Sequence, residues 1–161
     1  MPKLVLDASV VIKWLNPNEP LAEKAIVSRD DYERGSISLI VPLFWEYEVV
    51  NGLNKAVARG HLTEEEGREA IALLLALQVE KAPLPSSRES YELARQYKRS
   101  VYDSWYLSLA EKTGCEFWTA DQKLYNALKD TVGSNGLPII RANLKRSCST
   151  AGGFHCPSCL R

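Results

Sequence analysis

The sequence predicts an α/β fold: a parallel sheet with helices on both faces. Three observations carry that prediction. Short apolar runs alternate with longer helical stretches along most of the chain, and such alternation builds βαβ units. Capping and stop residues bracket the helical stretches. Two aspartates, Asp7 and Asp121, directly follow candidate buried strands, and the C-terminal edge of a parallel sheet is where ligands gather.

The elements follow in order. Residues 4–6 read as a short buried strand and 8–15 as the helix after it. Residues 16–20 are turn chemistry. Residues 21–34 are helical, with Leu21, Ala25 and Ser28 on one face and Gly35 as the stop. Residues 37–41 form a second strand. Pro42 is placed to open the next helix, which runs to about Arg59 before Gly60. Thr63 followed by Glu66 resembles a capping box, so a helix runs from there to Leu77. Residues 79–84 read as a short strand, 86–97 and 102–113 as two helices, 116–119 as a strand, 122–129 as a helix and 137–140 as a last strand. No internal repeat is visible.

With 161 residues, the chain is long enough for one well-packed domain but not for two. Lys plus Arg equals Asp plus Glu at 20 each, which argues against a protein that coats nucleic acid non-specifically. A nuclease stays open, because a bound metal adds local positive charge. Every apolar run is broken by charges before it reaches membrane-spanning length. The chain begins a strand almost at once, without the layout of a signal peptide. The expected location is the cytoplasm.

Four acids occupy places where a soluble fold rarely puts a charge: Asp7, Glu48, Asp103 and Asp121. Carboxylates gathered at one sheet edge repel one another and cannot all stay ionised without a cation. All-oxygen donors point to a hard divalent ion, Mg²⁺ or Mn²⁺, and the chemistry of such a site is phosphodiester hydrolysis. Asp7 and Asp121 each precede a helix and also read as N-caps. Asp103 shares a core-facing stripe with Tyr106, Leu107 and Ala110, where a lone carboxylate costs several kcal/mol. A helix N-terminus offsets part of that cost. Glu46 and Glu48, two residues apart, point in nearly opposite directions on a helix, so only one faces a cleft. Glu48 shares a face with Asn51 and Gly52, and Glu46 with Val49, Val50 and Leu53. Spacing alone leaves both assignments open.

The segments LVLDASVVIKWLNPNEP, VPLFWEYEVVNGLNKAVARG, SVYDSWYLSLAEKTG and FWTADQKL, in this order, resemble the PIN-domain family and specifically its VapC-type toxin ribonucleases of toxin–antitoxin pairs. The resemblance covers roughly residues 1 to 144. The family pattern Glu, Val, any residue, Asn, any residue, Leu falls on EVVNGL, which selects Glu48 over Glu46; the other family acids fall on Asp7, Asp103 and Asp121. It implies a three-layer, Rossmann-like α/β/α sandwich with a mostly parallel five-strand sheet. It further implies an endoribonuclease dependent on Mg²⁺ or Mn²⁺, with in-line attack of a metal-activated water and the four acids holding the metal. A VapB-type antitoxin and a homodimer are the implied partners, with RNA as substrate.

Ser9 and Thr119, two residues from Asp7 and Asp121, bear hydroxyls suited to bond a carboxylate, and equally to cap a helix. Asn51 is placed to orient Glu48, or to face solvent. Lys13, on the first helix, is a candidate phosphate contact and equally a surface residue. Trp14, Phe44, Trp45, Tyr102, Trp105 and Tyr106 are at spacings that favour packing over base stacking. Helices 21–34 and 44–59 read as strongly amphipathic.

After Leu144 the chain loses all periodicity. Residues 145–161 hold Cys148, His155, Cys156 and Cys159. The pair Cys156 and Cys159 has the spacing of a zinc knuckle, and Cys148 and His155 would complete four ligands. A zinc finger has a second, separated pair; this segment is cramped, so a disordered or appended extension is the expectation. A reducing cytosol weighs against a disulfide.

Two rivals are set aside on residues. A haloacid-dehalogenase-like phosphatase needs a second Asp two residues after the first, and that position is Ser9. A non-catalytic PIN-like module that binds RNA or protein is disfavoured because all four acids are present. The alternative to the toxin is a PIN nuclease of RNA processing or decay that acts without an antitoxin, and a neighbouring small reading frame for a DNA-binding antitoxin tells the two apart.

Overall fold

Leu4, Val5 and Leu6 are buried side by side in β1 (Lys3–Leu6), the strand around which everything else is arranged. A computed structural model describes residues 1–16 and 22–128. After β1 come α1 (Ala8–Leu15), α2 (Ala22–Glu33), β2 (Ser38–Pro42), α3 (Trp45–Ala58) and α4 (Glu64–Ala76). Then follow β3 (Glu80–Ala82), α5 (Ser87–Tyr97), α6 (Val101–Thr113), β4 (Glu116–Trp118) and α7 (Gln122–Leu128).

The four strands form one sheet in the order β3-β2-β1-β4, every pair parallel. Helices flank it, as the α/β reading expects. α1 packs on α2 and α3, and α3 on α4; α5 and α6 pack on each other, with α6 lying across β1, β2 and β4. The expected fifth strand, 137–140, and the Cys/His segment 145–161 lie outside the described residues, as does most of the turn at 16–20. Among the described residues no helix is long and apolar enough to cross a membrane.

Local chemistry explains the element ends. Thr63 and Glu66 form the full capping box, each side chain bonded to the other's backbone N–H. Ser86 caps α5, and Ser100 caps α6, which starts one residue earlier than expected. Pro42 departs from expectation: it ends β2 rather than opening α3. Its register partner is Ala82 in β3, and the ladder continues one residue further as the Leu43 N–H donates to the Ala82 carbonyl. A proline without an N–H is tolerated at such a strand end. α2 also departs from strong amphipathicity. It buries small residues, Ala22, Ala25 and Ser28, while Val27 is exposed.

Most of the aromatic residues serve packing. Trp14, Trp45 and Tyr106 are buried, and the Trp14 indole N–H donates to Ser28 Oγ at 3.1 Å. Phe44 packs against Tyr102, Trp105 and Tyr106. Tyr102 stays exposed at the edge of this cluster.

Candidate active site

The strand order reverses direction between β1 and β4, because the chain first steps outward to β2 and β3 and then returns to the other side of β1. At such a switch point the loops part and leave a crevice at the strand C-termini. Asp7 and Asp121 stand at that point. Leu6 pairs with Trp118, and the Asp7 N–H extends the ladder to the Trp118 carbonyl at 2.9 Å. The residues after the two strands are therefore held side by side.

A polar network ties the two strand ends together. Asp7 caps α1, its carboxylate accepting from the Ser9 N–H at 3.3 Å and from Ser9 Oγ at 2.8 Å. Thr119 Oγ1 donates to the same Asp7 oxygen that Ser9 Oγ reaches. Ser9 Oγ accepts from the Ala120 N–H at 2.9 Å, and Thr119 Oγ1 from the Asp121 N–H at 3.0 Å. Both hydroxyls thus bond a carboxylate and a neighbouring backbone group at once. Asp121, exposed, caps α7 by accepting from the N–H groups of Lys123 at 2.7 Å and Leu124 at 3.1 Å. The capping role of each aspartate coexists with its place at the crevice.

Helix α3 supplies the third acid. Glu48 Oε2 accepts from the Tyr106 hydroxyl at 2.6 Å, while Glu46 points away and pairs with Lys81 of β3 at 2.6 Å. The two glutamates take opposite faces, as a separation of two residues requires. Tyr106 comes from α6, is buried, and stacks on Phe117 of β4. Sequence reasoning reads Tyr106 only as a packing aromatic; the one available signal is its position three residues after Asp103. The partner of Glu48 is this tyrosine, not Asn51, which lies exposed on the cleft wall.

Asp103 is half-buried in the first turn of α6, where its N–H donates to Ser100 Oγ at 3.1 Å. Its neighbours on the stripe, Tyr106, Leu107 and Ala110, are all buried. The charges of Asp7, Glu48 and Asp103 act on one another. Burial pushes the Asp7 carboxyl above the usual range, against the hydrogen bonds from Thr119 and Ser9, and the Asp103 charge pushes the same way. Burial raises Glu48 to about 7, opposed by the Tyr106 hydroxyl and reinforced by Asp7 and Asp103. Tyr106 is itself raised well above the phenol range by burial and by the charges of Asp7 and Glu48.

A cleft of about 490 Å³ opens here between α1 and α3. Ser9, Lys13, Glu48, Asn51, Lys55, Arg59 and Asp121 line it. Its floor depends on Gly52. A Cβ at that position would stand 2.2 Å from Ile12 Cδ1 and 2.8 Å from Cγ1, so the missing side chain lets α1 and α3 approach. Among the described residues, no three of His, Cys, Asp and Glu stand close enough as placed to form a ready cage for an ion. The donor chemistry nevertheless fits Mg²⁺, which keeps several waters and takes only one or two carboxylates directly. Three mutually repelling acids, with two carboxyls pushed upward, are the environment a cation relieves.

A family model for the PIN domain matches residues 4–129. The chain belongs to the PIN-domain family. Similar curated proteins include Ribonuclease VapC3 of Pyrobaculum aerophilum, 31% identical over 128 residues that span 76% of this chain and 92% of that protein. Ribonuclease VapC12 of Mycobacterium tuberculosis is 30% identical over 122 residues, 75% of this chain and 88% of that one. These relatives place the chain among VapC-type PIN domains. A crystal structure of a Pyrobaculum aerophilum protein shares the fold with a TM-score of 0.57 at 21% identity, covering 78% of this chain and 79% of that one.

Proposed function

We propose that this PIN domain is a divalent-metal-dependent endoribonuclease and the toxin of a type II toxin–antitoxin pair, with Asp7, Glu48, Asp103 and Asp121 as its catalytic carboxylates. The observation that carries the reading is that Asp7 and Asp121 follow the neighbouring strands β1 and β4 at the switch point of a parallel sheet, where the charges of Glu48 and Asp103 act on Asp7 or on each other, beside a cleft lined by Glu48, Asp121 and three cations. The names of the similar curated proteins support ribonuclease as the activity and an antitoxin of the VapB type as the partner. The family resemblance adds a homodimer. Residues 1–144 are assigned to the nuclease domain.

The residues divide the work. Asp7, Glu48, Asp103 and Asp121 offer carboxylate oxygens to Mg²⁺ or Mn²⁺. When bound, such an ion makes water nucleophilic at neutral pH and neutralises charge on the reacting phosphate. Ser9 and Thr119 lock the rotamer of Asp7 through hydroxyl bonds to its carboxylate. Tyr106 holds one oxygen of Glu48 and leaves the other to the cleft. Lys13, Lys55 and Arg59 give the cleft the positive lining that an RNA backbone requires.

Purified protein, free of any partner, should cut single-stranded or loop-containing RNA with Mg²⁺ or Mn²⁺ and stop when EDTA is added. Cleavage undiminished by EDTA contradicts the metal mechanism. So do products ending in a 2′,3′-cyclic phosphate, because these arise from attack by the ribose hydroxyl rather than by water.

Tyr106→Phe isolates the tyrosine's polar tip. The ring keeps its packing against Phe44 and Phe117, so the fold should hold. Losing a residue that orients a metal-binding carboxylate typically costs about 10–100-fold in metal affinity or activity, and kcat/KM together with Mn²⁺ affinity should fall within that range. Parent-like values for both would reduce Tyr106 to a packing residue.

A further inference from the structure

The cleft is divided by charge along its length. Its α3 wall consists of Glu48, Asn51, Gly52, Lys55 and Arg59. Spacings of three, four, seven and eleven residues place them on one stripe of the helix. At 1.5 Å of rise per residue, Lys55 lies about 10 Å and Arg59 about 16 Å along the axis from Glu48. The acids therefore occupy one end and the cations the other. Lys13 on α1 faces the same space from the opposite wall.

Several cations elsewhere in the molecule are held by carboxylates. Arg34, Arg68, Lys81 and Lys112 each hold a carboxylate at 2.6–3.0 Å. Among the described residues, Lys55 and Arg59 are in no ion pair although both are exposed. Carboxylate partners are absent where a phosphate chain would need them to be absent. At the floor Gly52 meets Ile12, so α1 and α3 approach closely there.

We propose that the α3 stripe is a backbone track, on which Lys55 and Arg59 bind two phosphates, about two nucleotides apart, of single-stranded RNA flanking the phosphodiester to be cut. This rests on the ribonuclease reading above. A stacked strand advances about 3.4 Å per nucleotide, which puts Lys55 within about three nucleotides and Arg59 within about five of the scissile phosphate. The track is therefore one-sided: it extends from the carboxylates toward the C-terminal end of α3. It reads no sequence, since phosphate contacts position a strand and base contacts specify it.

The test uses the full chain carrying Asp7→Asn, so that RNA stays intact. Binding of a labelled random-sequence 12-nucleotide RNA and of a trinucleotide is measured across a salt series, with melting temperatures as fold controls. Removing one cation from the phosphates of a single strand reduces the slope of log K against log salt by about 0.7, or about fivefold in affinity at 0.1 M salt. Lys55→Gln and Arg59→Gln should each show this reduction with the 12-mer, and the double variant about twice the slope change. Arg59→Gln should leave trinucleotide binding unchanged, and Arg88→Gln on α5 should change neither. Unchanged slopes in the double variant, or equal reductions from Arg88→Gln, overturn the track while leaving the nuclease reading intact. Intact RNA binding with lost binding of a protein partner overturns it too, by assigning the stripe to protein docking. An Asp7→Asn protein that binds no RNA at all overturns the ribonuclease reading and the track with it.

Discussion

Glu48→Gln should lower kcat/KM for RNA cleavage by about 10²–10³-fold, the range seen when a group that stabilises transition-state charge is removed, while Glu46→Gln leaves activity near that of the parent. The asymmetry follows from two hydrogen bonds. Glu48 is held by Tyr106 at the edge of the cleft; Glu46 is held by Lys81 on the far side of the helix. A partly exposed ion pair of the second kind contributes at most about 1 kcal/mol to stability, so Glu46→Gln should fold normally. Loss of activity in Glu46→Gln with retention in Glu48→Gln would mean that the opposite face of α3 serves the reaction.

Asp103→Asn should abolish cleavage and yet leave metal-free thermal stability unchanged or higher. Its charge pushes the carboxyls of both Asp7 and Glu48 upward, so neutralising it at nearly constant shape relieves both. The sign follows from proton binding. Glu48 stands at about 7 in the folded protein against an ordinary 4.5, so between those values the folded state binds more protons than the unfolded one. Metal-free stability therefore falls as pH rises through that window. In Asp103→Asn this fall should be shallower. Added Mg²⁺ should stabilise the parent, by about 2.7 kcal/mol at a hundred times the dissociation constant, and the variant much less. Melting temperatures at pH 5 and 8, with and without Mg²⁺, measure all of this. If Asp103→Asn unfolds the metal-free protein, Asp103 is a structural partner of the α6 N-terminus and leaves the proposed metal site.

Much of the fold is legible in local signals because those signals act locally. The Thr63 and Glu66 capping box, and Gly35 and Gly60 at positive φ after α2 and α3, each work within one turn of chain. Asp7 and Asp121 stand out because packing alone rarely puts a charge directly after a buried strand. What is not legible depends on contacts between distant segments. Spacing leaves Glu46 and Glu48 equivalent, and the distinction comes from Lys81 and Tyr106, 35 and 58 residues away. The hydroxyl of Tyr106 gives no signal because its ring alone accounts for its place in the pattern. Pro42 fits a helix start as well as a strand end, and its pairing with β3 decides between them. Lys55 and Arg59 look like ordinary surface residues until α1 is packed opposite α3 and the cleft between them exists.

The central claim is that these carboxylates together bind a divalent ion. Calorimetric titration of the metal-free protein with Mn²⁺, repeated in buffers of different ionisation enthalpy, tests it most directly, because metal ligands must shed their protons to bind. With Glu48 at about 7, the account predicts saturable binding that releases close to one proton or more per ion at pH 6 and little at pH 8, with affinity rising between the two. Glu48→Gln and Asp7→Asn should each lose most of that affinity. Absence of saturable binding in the parent, or binding that survives both substitutions unchanged and releases no protons at pH 6, would contradict it.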